Sequence, residues 1–237
     1  NRGFGYACNQ GVKILNTDYI LFLNPDTEVK SNTIRESIRF LENNEKVSVL
    51  GALHRDENGE VKQSCSRTPT PKLVLNDIFG LSKLFPKIFT PSTLMVNFDY
   101  NTSSFVDQVM GAYMLMKRKV FIELNGFDTR FFVYYEDADF AYRARLKGHN
   151  SYYNSEIEII HHGRGTTKSI SQISLFYNLR SRIQFTYKHY GVFYGAVILI
   201  TTLVVEPLTR LFFNLIKKIA LTKQLDHLFE LWPVLIT

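Results

Sequence analysis

Five consecutive apolar residues, Tyr19-Ile20-Leu21-Phe22-Leu23, end abruptly at Asn24-Pro25-Asp26-Thr27. A short unbroken run with no polar alternation predicts a strand covered on both faces, as in a parallel sheet with helices on either side. Val47–Leu53 repeats the pattern. Between them, residues 32–43 carry Ile34, Ile38 and Leu41 on one helical face, with Thr27 or Ser31 as candidate cap. Strand, helix, strand in that order predicts an α/β fold. Ligands in such sheets bind beyond the carboxyl ends of strands, so Asp26 stands where a metal or phosphate site is expected. Asn-Pro-Asp is equally good turn chemistry.

The rest of the chain extends this pattern. Asp56-Glu57-Asn58-Gly59 predicts a hairpin turn. Residues 66–104 hold four prolines, including Pro91, and predict an irregular excursion. Its apolar residues from Leu73 to Phe85 predict a short amphipathic helix or a partner surface. Residues 105–117 are strand-like, with Gly111 marking a bulge or a close backbone approach. A helix from Lys117 ends at Gly126 as its glycine cap, and 151–160 is a further strand running into His161-His162.

The chemistry-bearing stretch is Phe131-Phe132-Val133-Tyr134-Tyr135-Glu136-Asp137-Ala138-Asp139. Aromatic neighbours lower the local dielectric and raise a carboxyl pKa, which makes a stronger base. Asp137, Phe140, Ala141 and Ala144 share a helical face, so Asp137 is expected at a helix start, facing a cleft. The plainer alternatives are helix capping and an Asp139–Arg143 ion pair at i, i+4. Asn1-Arg2-Gly3-Phe4-Gly5 opens the chain as a glycine-rich turn before a short helix. Asn9 in that helix either bonds a ligand hydroxyl or caps backbone.

With 237 residues, 45% apolar and 14% aromatic, the chain can bury a sizeable core. Cys8 and Cys65 form no CxxC pair and suit a reducing compartment. The net charge of +6 is uneven. No acid occurs between Glu158 and Glu206, while Arg164, Lys168, Arg180, Arg182 and Lys188 do. The basic stretch runs into apolar sequence, which points to lipid or diphosphate and not to nucleic acid. After a helix over 171–190, the apolar run 192–205 is shorter than the ~20 residues that span a bilayer. With Glu206-Pro207 interrupting it and a basic, apolar stretch after, 192–221 is expected to lie in a membrane interface. The alternative is a helical hairpin packed on protein.

Taken in order, Asn1-x-Gly3-Phe4-Gly5, Asn24-Pro25-Asp26, Met110-Gly111-Ala112, Gly126-Phe127-Asp128, Glu136-Asp137-x-Asp139 and His161 resemble the family 2 glycosyltransferases, in particular their bacterial rhamnosyltransferase-like branch. The resemblance covers about residues 1 to 165. It implies a GT-A-like (Rossmann-like) mixed sheet flanked by helices, with a C-terminal amphipathic helical appendage. Residues 1–170 would be the catalytic domain and 171–237 a membrane-associating segment. It implies inverting transfer of a sugar, rhamnose by analogy, from a nucleotide-diphosphate donor to a glycan or lipid-linked acceptor in cell-surface polysaccharide synthesis, at the cytoplasmic face of a bacterial inner membrane. Asp137 would be the base, with Glu136 orienting the acceptor. Asn1, Gly3, Asn9, Asn24 and Asp26 would surround the donor, and Gly111 and Ala112 the acceptor. Mg²⁺ or Mn²⁺ would sit on Asp26 and His161, with His162 as the other candidate. Family members begin with a nucleotide-binding strand ahead of the Asn-x-Gly motif, so a missing N-terminal portion is expected. Two further readings are a noncatalytic remnant acting as a membrane-bound partner and a metal-dependent phosphohydrolase. The second would need more ligands near Asp26 than the sequence offers.

Overall fold

The computed structural model describes residues 1–89, 93–95, 97–163 and 171–236, without the side chains of 171–172 and 219–236. Pro91, Arg164 and Lys168, singled out above, lie outside the described residues.

The chain opens with α1 (Phe4–Ile14), which leads into β1 (Tyr19–Leu23), β2 (Thr27–Val29), α2 (Thr33–Asn43) and β3 (Val47–Arg55). A hairpin to β4 (Val61–Lys62) follows, then β5 (Cys65–Ser66), α3 (Pro71–Phe79) and α4 (Leu81–Leu84). Three short strands come next, β6 (Ser104–Val106), β7 (Gln108–Val109) and β8 (Tyr113–Lys117). α5 (Arg118–Glu123), α6 (Glu136–Leu146), β9 (Asn150–His161) and α7 (Ser171–Ile236) complete the order.

The main sheet has the order β1-β8-β3-β9-β2, with β4 added to β3 and β6 to β9. β3 and β9 are parallel; β8 is antiparallel to β1 and β3, and β2 to β9. β1, β3 and β9 therefore point the same way and end at one edge. The expectation of parallel neighbours for β1 is corrected: its observed partner is antiparallel, because the return strand β8 lies between β1 and β3.

Both faces of the sheet are covered. Ile20, Phe22, Val49 and Met116 pack with Val12 of α1, Phe121 of α5 and Phe140 of α6. Leu50, Leu115 and Ile159 pack on the other face with Leu41 of α2. Burial of a large apolar side chain contributes about 1.5–3 kcal/mol, so these two layers fix the sheet on which the site stands.

Several local expectations need correction. The stretch 105–117 is three strands with different partners, since β6 pairs β9, β7 pairs β5 and β8 pairs β1 and β3. The chain turns between them at Met110–Ala112. Thr27 lies in β2, and α2 starts after Asn32 without a side-chain cap. α5 ends in paired bonds from Asn125 N to Ile122 O and from Gly126 N to Phe121 O. Asn125, at φ 57°, is thus the first left-handed residue, with Gly126 one further on.

Nor does Glu206-Pro207 interrupt the last helix. The break falls at Gly191 (φ 83°, ψ 177°), and α7 continues through Pro207. A proline inside a helix costs about 3 kcal/mol; here the buried Arg182–Glu206 pair and the packing of Ile198 on Val74 and Ile78 of α3 hold the helix before Pro207, and Thr209 and Phe213 lie against Gly80 after it.

Candidate active site

The Asn24-Pro25-Asp26-Thr27 motif is a β-turn, closed by Thr27 N to Asn24 O at 3.1 Å. The turn delivers Asp26 to the edge where β1, β3 and β9 end. β2 pairs Thr27 with His161 at the end of β9, which sets Asp26 Oδ1 3.4 Å from His161 Nε2, both side chains 23% exposed. His162 points elsewhere, to Glu28 at 2.7 Å, because adjacent strand residues face opposite ways. The two histidines are thus separated, and His161 is the one beside Asp26.

His54, near the end of β3, backs His161 edge-on at a ring separation of 5.6 Å. It is buried, and its burial pushes the imidazole pKa down to about 3. His54 therefore stays neutral behind His161. The sequence reading passed over it; its place near the carboxyl end of a buried strand was the available signal.

Among the described residues no third His, Cys, Asp or Glu joins this pair. Two protein ligands still fit Mg²⁺ or Mn²⁺, which keep several waters and are commonly held by one or two carboxylates plus substrate phosphates. Cis ligands at ~2.1 Å from an octahedral ion stand about 3 Å apart, close to the observed Asp26–His161 separation.

The turn at Met110–Ala112 links this pair to the carboxylate motif. Ala112 O accepts from Asn24 N at 3.1 Å and from Thr27 Oγ1 at 3.4 Å. One residue earlier, the Gly111 backbone bonds to the Asp137 carboxylate, and a Cβ at Gly111 would lie 4.0 Å from Asp137 Oδ2. Asp137 also accepts from Ala138 N at 2.8 Å and from the Gln108 side chain. The buried Gln108 is a second residue that sequence reading missed, since a lone Gln in a strand carries no signal.

Glu136 and Asp137 differ in surroundings. Glu136 is 6% exposed and lies against Gly5 and Cys8 of α1, with its Oε2 unpartnered among the described residues. Burial and the neighbouring Asp137 push it up to about 8. Burial raises Asp137 as well, against the donors that hold it. Of two adjacent carboxyls in a low dielectric, the one with hydrogen-bond donors ionises first, so Asp137 carries the charge and Glu136 the proton.

Two consecutive non-glycine residues with positive φ, Tyr134 (65°) and Tyr135 (67°), precede the pair. Such conformations cost of order 1–3 kcal/mol each and collect at functional sites. Two contacts hold the loop. Phe4 N donates to Phe132 O at 2.9 Å, and Gly3 (φ 94°) passes so close to Phe132 that a Cβ would stand 2.3 Å from its carbonyl oxygen. From the other side, Ser181 Oγ of α7 donates to Val133 O.

Some predicted donor residues are occupied within the fold. Asn9 gives and receives a bond with the Phe127 backbone, at 2.8 and 2.9 Å. The Asn1 side chain accepts from Gly3 N. Asp139 forms the expected pair with Arg143 at 2.7 Å, but it is fully buried and also bonds Lys188 and His189 of α7. The third carboxylate of the motif ties α6 to the last helix and does not face the cleft. That cleft, about 420 Å³, is lined by Glu136 and Asp137 together with Asp77, Glu206, Arg67, Arg182 and Arg210.

The family model described as Glycosyl transferase family 2 matches residues 1–124, more than half of the chain. The chain belongs to glycosyl transferase family 2. Within this glycosyltransferase family it is 26% identical over 192 residues to the rhamnosyltransferase WbbL of Escherichia coli K12, spanning 77% of this chain and 69% of that relative. It is also 26% identical over 181 residues to the N-acetylglucosaminyl-diphospho-decaprenol L-rhamnosyltransferase of Mycobacterium tuberculosis H37Rv, spanning 70% of this chain and 58% of that one. Among solved structures, the mannosyltransferase PcManGT of Pyrobaculum calidifontis, determined with GDP-Man and Mn²⁺, superposes with a TM-score of 0.50 at 13% identity. That match covers 89% of this chain and 53% of the other, and it supports the GT-A architecture alone.

Proposed function

We propose that this family 2 protein is a metal-dependent inverting glycosyltransferase that moves a sugar, rhamnose by analogy with its relatives, from a nucleotide-diphosphate donor to a lipid-linked glycan acceptor. The observation that carries the reading is the Gly111-Ala112 turn, which bonds the Asp26 turn on one side and Asp137 on the other. A leaving diphosphate and an attacking hydroxyl need those two groups on either side of one anomeric carbon.

Asp26 and His161 would hold Mg²⁺ or Mn²⁺, which when bound neutralises charge on the leaving diphosphate. Asp137 accepts the proton of the acceptor hydroxyl as the new glycosidic bond forms and the bond to diphosphate breaks. One base opposite the leaving group gives inversion. Glu136, protonated at neutral pH, keeps a second charge out of the cleft.

The last helix supports action at a membrane surface. Its inward stripe, Gly195, Ile198, Thr202 and Glu206, is buried, whereas Leu203, Val204, Leu208, Leu211 and Phe212 are exposed. A water-facing helix shows the opposite arrangement, polar out and apolar in. Ile173–Lys218 is long and apolar enough to cross a membrane by length and composition. The break at Gly191 and the packing of Ile198 on α3 favour a helix lying in a membrane interface over one that spans it.

Calorimetric titration with UDP and dTDP, with and without Mn²⁺, tests the donor site. Metal-dependent binding of one nucleotide, lost in Asp26→Ala, is expected. Binding that ignores both Mn²⁺ and Asp26→Ala would overturn the assignment.

A further inference from the structure

A second stretch of exposed apolar surface stands beside α7, on the excursion that follows α3. Phe79, Leu84, Phe85 and Ile88 are exposed, Ile88 to 76%. The stretch is ordered. Gly80 ends α3 in the left-handed conformation, α4 follows at once, and Phe85 O accepts from Ile88 N and Phe89 N, both at 3.0 Å. Single exposed apolar residues are ordinary, but a contiguous group of them marks a contact surface.

This stretch and α7 adjoin. Gly80 packs so closely on α7 that a Cβ there would collide with the Phe213 ring, and Thr209 lies beside it. Three residues on, Lys83 Nζ stands 5.0 Å from the centre of the Phe213 ring. Around Thr209 and Phe213, α7 exposes Leu208, Leu211, Phe212, Leu215 and Ile216.

Charge says what covers the joint surface. Residues 78–89 and 207–218 hold Lys83, Lys87, Arg210, Lys217 and Lys218 and no Asp or Glu. With the flanking Asp77 and Glu206 counted in, five cations against two acids leave three positive charges. A second copy of this chain would set like charges against each other. An anionic bilayer takes apolar side chains among its acyl chains and lysines at its phosphates, with the lysine stems lying along the apolar surface.

We infer that residues 79–88 are a second membrane-docking element: Phe85 and Ile88 enter the acyl region beside α7, and Lys83 and Lys87 meet anionic headgroups. The inference rests on the interfacial reading of α7 above and adds the other half of the contact. Asp77, three residues before Gly80, and Arg210, next to Thr209, both line the cleft. The docked surface therefore borders the cleft before Asp137, and a lipid-linked acceptor reaches it without leaving the bilayer.

The test is co-sedimentation of the full chain with vesicles of phosphatidylcholine, alone or mixed in equal parts with phosphatidylglycerol. A lysine near an anionic surface contributes about fivefold in affinity, so Lys83→Gln with Lys87→Gln should weaken binding to the mixed vesicles roughly twenty-five-fold. Phe85→Ser with Ile88→Ser should weaken it at least about tenfold. Insertion is read from Phe85→Trp in a chain whose single tryptophan is removed by Trp232→Phe; lipid brominated on its acyl chains should quench the emission. Undiminished binding by both double variants, or emission that brominated lipid leaves unquenched, would overturn the role of 79–88 and leave α7 as the contact. A wild type that binds neither vesicle would overturn the interfacial reading of α7 as well. A wild type that dimerises in sedimentation equilibrium and ignores vesicles, with the Phe85→Ser, Ile88→Ser chain monomeric, would assign the surface to a second copy instead. Mn²⁺-dependent dTDP binding, measured on the same variants, should be unchanged, which separates lost docking from a lost fold and from failure of the transferase reading.

Discussion

Gly3→Ala perturbs the motif loop from outside the cleft. Gly3 has φ 94° and ψ 168°, a region that only glycine occupies without strain. Strain alone costs of order 1–3 kcal/mol. A Cβ there would also stand 2.3 Å from Phe132 O and 2.9 Å from Phe132 C and Cα, all backbone atoms that no rotamer change can remove. Overpacking of that kind adds about 1–3 kcal/mol, so the substitution should cost about 3 kcal/mol or more. Gly148 is the control: its φ of 83° carries the strain, yet nothing lies within 4 Å of its Cβ position, so Gly148→Ala should cost about 1 kcal/mol. At roughly 2–4 °C per kcal/mol for a chain of this size, thermal unfolding should fall about 10 °C for Gly3→Ala and about 3 °C for Gly148→Ala. Transfer should drop only in the first, because Phe132 leads directly into Tyr134, Tyr135 and Asp137. Equal shifts in melting temperature would refute the Phe132 contact as the cause.

Three further outcomes follow from the site. Asp137→Asn should abolish sugar transfer and leave Mn²⁺-dependent nucleotide binding intact; retained turnover would remove Asp137 as the base. Glu136 titrates near 4.5 when unfolded and near 8 when folded, so the unfolded chain binds fewer protons between those values and stability falls as pH rises from about 4.5 to about 8. Glu136→Gln should flatten that slope in melting curves taken from pH 5 to 8, and an unchanged slope would contradict the raised pKa of the buried Glu136 carboxyl. Asp139→Asn leaves Arg143 and His189 facing a neutral side chain and Lys188 with Asp128 as its one carboxylate among the described residues; breaking a buried ion cluster costs about 3–5 kcal/mol, and a loss below about 1 kcal/mol in denaturant unfolding would show that the cluster is not holding α6 to α7.

Much of this was legible in local sequence because the physics is local. An unbroken apolar run specifies a covered strand, and 3.6-residue spacing specifies the buried faces of α2 and α6. The i, i+4 spacing of Asp139 and Arg143 anticipated their pair, and the aromatic run before Glu136 and Asp137 anticipated their raised pKa values. Continuous patterns misled where partners changed. The run 105–117 reads as one strand, yet it breaks where β6, β7 and β8 turn to different neighbours. Pro207 reads as a helix stop, yet packing at Arg182 and α3 carries the helix past it.

What the sequence determined by itself was the inventory: an α/β chain of this family, with carboxylates and a histidine at strand and helix ends. Which of them meet was decided by tertiary structure. Strand register set His161, and not His162, beside Asp26. The Gly111 turn brought Asp137 within one residue of the Asp26 turn, although 111 positions separate the two in sequence. Asn9 reached across to Phe127, and Arg67 came to line the same cleft as Arg182 and Arg210, which lie on either side of the break in α7. Spacing along the chain reports neighbours within a helix or strand; contacts between elements depend on the sheet order and on where the chain turns, and those are properties of the folded whole.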